Sequence, residues 1–115
     1  MTEPILNPED LLVGANATFE VAIPAQIIHP GEDQAEQSAM VVQLRPISIG
    51  TFQLILKAAK NDNGLIPLLM IKESLVQPAM SLEQVKRLHL GLVQFLIAHI
   101  REISGLTEKK NILKD

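Results

Sequence analysis

Between Ser81 and Gly105 apolar residues recur at helical spacing. Val85, Leu88, Leu92, Phe95, Leu96, Ile100 and Ile103 make one stripe, and Leu90, Val93 and Ile97 widen it. On a wheel of ~100° per residue this apolar arc covers roughly 220°, against the ~100° needed by a helix lying on a single layer. Arg87, Gln94, Arg101 and Glu102 occupy most of the remaining circumference. Ser81 and Gln84 have the spacing of a capping box, Ser104-Gly105 supplies a helix end, and no proline intervenes. The pattern predicts one long helix over 81–105, either central to the domain or shared between the domain and a partner.

Upstream the period changes. Thr18 to Ile23 alternates, with Phe19, Val21 and Ile23 on one side, as in a half-buried strand ended by Pro24. Ala25 to His29 is expected to continue as a second short extended piece. Pro30-Gly31 opens a polar loop through Ser38 that carries Glu32, Asp33 and Glu36, and Met40 to Arg45 resumes the alternation. The two strands predict a β-hairpin with a long acidic connection. Ser48, or alternatively Thr51, can cap a helix that runs to Lys60 and buries Phe52, Ile55, Leu56 and Ala59. Asn61-Asp62-Asn63-Gly64 ends it. A second helix starts near Ile66 with Pro67 in its first turn, and Gln77-Pro78 stops it after Val76. Met1 to Asn16, interrupted by Pro4, Pro8 and Gly14, is expected to be a tail; so is 107–115. The expected fold is α+β: an N-terminal β-hairpin followed by three α-helices, the last one long and central, in a single domain over 17–106.

Composition narrows the chemistry. The 115 residues are 47% hydrophobic and 20% charged with a net charge of −3, which excludes wholesale disorder and argues against nucleic acid, whose binders carry a basic excess. Without cysteine there is neither a disulfide framework nor a thiolate metal site. Three phenylalanines are the only aromatic rings of the Phe, Tyr and Trp class, few for stacking a base, a sugar or a flat cofactor. The acidic N-terminus has no signal-peptide pattern and no apolar run approaches ~18 residues, so the expectation is a cytoplasmic protein without a membrane span. His89 and His99 sit ten apart rather than at the i, i+4 spacing of a shared metal ion, and His29 lies at the loop edge. The carboxylate pairs Glu9-Asp10 and Glu32-Asp33 fall in polar stretches, and no phosphate-cradling or nucleophile-elbow motif occurs. The expectation is no enzyme, no cofactor and no metal.

What the sequence has in excess is apolar helix surface. The segment Ile66–Val76 and the arc Leu90, Val93, Ile97 exceed what three helices over one hairpin obviously need. Candidate partner-binding residues are Leu90, Val93, Ile97, Met70 and Ile71.

Three stretches, in order, carry a resemblance. They are Arg45-Pro46-Ile47-Ser48-Ile49-Gly50 after a strand, then Glu73-Ser74-Leu75-Val76-Gln77-Pro78-Ala79-Met80-Ser81-Leu82-Glu83-Gln84-Val85, then Ile100-Arg101-Glu102-Ile103-Ser104-Gly105-Leu106. Over about 18–106 the chain resembles the tail assembly chaperones of long-tailed phages and phage-tail-like particles. Two features depart from that pattern: Thr51 stands where members often carry an acidic residue, and the acidic loop 30–38 is an insertion. The resemblance implies a non-catalytic protein that binds a long helical tape-measure protein, keeps it soluble and recruits tail tube subunits, with a longer frameshifted form common; the apolar excess, separately, allows a homo-oligomer. It maps no fixed partner surface. The alternative is a permanent structural or adaptor component of a contractile or phage-tail-like injection particle.

Overall fold

The computed structural model describes residues 4–31 and 40–106. In chain order its elements are α1 (Pro8–Leu12), a 3-10 turn (Val13–Asn16), β1 (Phe19–Ile23), α2 (Ala25–Ile28), β2 (Met40–Leu44), α3 (Ile49–Ala59), α4 (Leu65–Ser74), β3 (Leu75–Gln77), α5 (Leu82–Val85) and α6 (Leu90–Ile103). The architecture is α+β, a three-stranded antiparallel sheet in the order β1-β2-β3 with helices packed against it. The hairpin holds as predicted: Phe19 faces Leu44, Val21 faces Val42 and Ile23 faces Met40. Alternation delivers Val21, Ile23 and Leu44 to the core and leaves Glu20, Ala22 and Val41 outside.

The expected layout of one hairpin and three helices is too simple in four places. Pro78 restricts Gln77 to extended backbone, so the helix expected to reach Val76 stops at Ser74, and Leu75–Gln77 becomes a third strand on β2. Ala25–Ile28 is not extended but one helical turn, which buries Ala25. The stretch 4–16 is not featureless, because Asn7 and Asp10 close a capping box over Pro8, whose missing N–H costs nothing at a helix start. The helix expected over 81–105 is two helices. Ser81 and Gln84 do form their capping box, but α5 lasts one turn, and His89 turns to extended backbone (φ −74°, ψ 158°) to cap α6. The acidic residues 32, 33 and 36, and the segment 107–115, lie outside the described residues.

The centre of the domain is α4 rather than the last helix. It lies between α3 and α6 and is apolar on nearly every side, with Leu69, Met70, Ile71 and Ser74 buried. Val85, Leu96 and Ile100 close the core from the other side, and Ile55 and Ala59 from α3. Phe52 is half-buried and Leu56 exposed, so α3 buries a narrower stripe than its sequence suggests.

Three loops are pinned where these layers meet. The hydroxyl of Ser74, fully buried, donates to the Arg45 carbonyl (2.6 Å), while the Arg45 N–H donates to the Ser74 carbonyl (2.9 Å). Ser104 accepts from the Ile47 N–H (2.8 Å). At the end of α6, Gly105 (φ +76°) lets its own N–H reach Glu102 O and the Leu106 N–H reach Arg101 O, a paired left-handed C-cap. The motif stretches around Arg45, Glu73 and Ser104 are thus joined by hydrogen bonds at one end of the fold.

Candidate functional site

Leu90, Val93, Ile97 and Arg101 recur at intervals of three or four along α6, so they share one face of that helix. Pro67, in the first turn of α4, stands beside that face, and with Gln94 and Ala98 these residues line an open groove of about 480 Å³. Only Gln94 and Arg101 bring polar side chains to it. The guanidinium of Arg101 donates to the Leu106 carbonyl (3.3 Å), which holds it at the C-terminal end of the groove.

The candidate residues divide by burial. Leu90 is 70% exposed, whereas Val93 and Ile97 are half-buried and pack against the core with part of their surface in the groove. Met70 and Ile71 are 4% and 0% exposed and belong to the core. Contrary to the expectation from sequence, those two present no surface to a partner. A helix apolar all round fits the interior between two layers, and α4 takes that place between α3 and α6. Sequence reasoning missed Pro67, Gln94, Ala98 and Arg101. Gln94, Ala98 and Arg101 were findable, since they continue the face of Leu90 at helical spacing; Pro67 comes from another element and no spacing rule reaches it.

The histidines are engaged in the scaffold. His89 Nδ1 accepts from the Leu92 N–H (3.3 Å), so its other nitrogen carries the proton and donates to the Ile27 carbonyl (2.6 Å). His99 donates from Nδ1 to the Phe95 carbonyl (3.2 Å) and tilts against the Phe95 ring, with centroids 4.5 Å apart. Among the described residues no group of three or more His, Cys, Asp or Glu side chains is placed to hold a metal ion. Nor is any helix among them long and apolar enough to cross a membrane.

Searches against protein-family models, curated proteins and solved structures return no match to this chain.

Proposed function

We propose that this chain is a non-catalytic binding protein whose groove on α6 receives an amphipathic helix of another protein. The observation that carries the reading is Leu90, a large apolar side chain left 70% exposed at the mouth of an apolar groove. Grooves of this kind take helices that present anchors at i, i+3 or i+4, and i+7. Together with the resemblance over 18–106, this favours a role like that of a tail assembly chaperone, with a helical segment of a tape-measure protein as the client.

Leu90 is also the cleanest probe. It occupies the first position of α6, where an acidic side chain suits the helix dipole, so Leu90→Asp leaves the fold intact. Fully burying a leucine contributes about 1.5–3 kcal/mol, so its loss weakens capture of a helical tape-measure segment by roughly tenfold to a hundredfold. Capture undiminished by Leu90→Asp refutes the groove as the site. Mass spectrometry of finished particles separates the chaperone from the permanent adaptor, which is present there in stoichiometric amount.

A further inference from the structure

The two edges of the sheet are built differently. β3 is three residues long, its pairing with β2 shifts register at Gln43/Leu44, and Pro78 follows directly. These are the devices by which an edge avoids pairing with another chain. β1 shares only the last of them, since Pro24 follows it directly. Its five residues pair with β2 in unbroken register, it contains no proline and no basic residue, and among the described residues no strand pairs with its outer side. Alternate backbone N–H and C=O groups of β1 therefore point away from the sheet. Beside this edge Phe19, Met40 and Val41 are 40%, 56% and 56% exposed.

We infer that β1 is a self-association edge, on which β1 of a second copy pairs antiparallel about Val21. Its order of residues selects both the occupant and the register. A two-fold axis through an antiparallel strand pair stands perpendicular to the sheet, so it keeps inner side chains beside inner ones and passes through a residue rather than between two. Centred on Val21, all five residues find partners: Phe19 faces the second copy's Ile23 and Glu20 faces its Ala22. Centred on Glu20, two carboxylates stand directly opposite, which is destabilising. Centred on Ala22, Glu20 meets Pro24, which has no N–H to give. Of these three registers only the one centred on Val21 avoids both faults, and it lays Phe19 beside an isoleucine. This surface is separate from the groove on α6, and the inference does not depend on what that groove binds.

Sedimentation equilibrium of the full chain from micromolar to millimolar concentration tests it. The wild-type mass is expected to rise toward twice the 12.6 kDa of one chain. Ala22→Glu sets a carboxylate against the second copy's Glu20 on both sides of the axis and should weaken association about tenfold. The double variant E20K/A22E sets an ammonium against each new carboxylate and restores wild-type association. Both positions are exposed, so circular dichroism should show the same fold in every variant. A wild-type chain that stays monomeric overturns the inference. So does undiminished association of Ala22→Glu, or a double variant no better than the single one, since only the Val21 register pairs position 20 with position 22.

Discussion

The His89 ring ties together segments sixty-two residues apart: Nε2 lies 2.6 Å from the carbonyl oxygen of Ile27, while Nδ1 caps the first turn of α6. This relationship explains why the apolar stripe over 81–105 does not become one helix. A helical residue 89 would keep its place in the backbone ladder but point its ring elsewhere. The extended residue gives up that place and gains two hydrogen bonds, one of them to α2.

The first prediction follows directly. His89→Ala removes the cap and the tie to Ile27, and should lower unfolding stability by about 1–3 kcal/mol. His89→Asn keeps a side-chain acceptor for the cap but is too short to keep both bonds, so it should recover roughly half. Urea denaturation of the three proteins measures this.

Ser74 is a small polar group with no exposure, and its hydroxyl donates to Arg45 O. Ser74→Ala leaves that carbonyl without this donor where α4 meets the end of β2, at an expected loss of about 1–2 kcal/mol. Amide hydrogen exchange should report faster opening at Arg45, whose N–H is bonded to the Ser74 carbonyl.

The division between core and groove can be measured with two truncations. Ile71→Ala empties a fully buried site and should cost about 2–5 kcal/mol. Leu90→Ala removes a side chain mostly in water and should change stability by less than about 0.5 kcal/mol. Equal losses from thermal melts of the two would refute this division.

Two backbone positions should respond in opposite directions. Gly105 sits at φ +76°, where a Cβ meets no neighbouring atom but the conformation itself is strained for an L side chain; Gly105→Ala should cost about 1 kcal/mol. Lys60, after α3, holds φ 54° and ψ −117°, which glycine adopts readily and lysine does not. Lys60→Gly should therefore stabilise by about 1 kcal/mol. Melting temperatures of the two variants should move to opposite sides of the wild type.

Much of the local architecture was legible because local rules govern it. Alternation marked β1 and β2 and their pairing, Ser48 capped α3 as expected through the Thr51 N–H (3.2 Å), and Ser81-Leu82-Glu83-Gln84 formed its capping box. The misses at Gln77 and Asn7 had local signals as well: a residue before proline is driven to extended backbone, and Asn-Pro-x-Asp is a helix start. The break at His89 had none. Its cause is the carbonyl of Ile27, remote in the chain, and no periodicity in 81–105 could announce it.

Of the candidate site, the sequence by itself determined that Leu90, Val93 and Ile97 share a face, because helical spacing is a property of the backbone. It also determined that the chain carries more apolar helix than a single layer covers. Which part of that excess is consumed inside was decided only by the tertiary structure. Hydrophobicity is indifferent to direction: Met70 and Ile71 look as available as Leu90 until α3 and α6 close over them, and Pro67 joins the groove only because α4 begins beside α6.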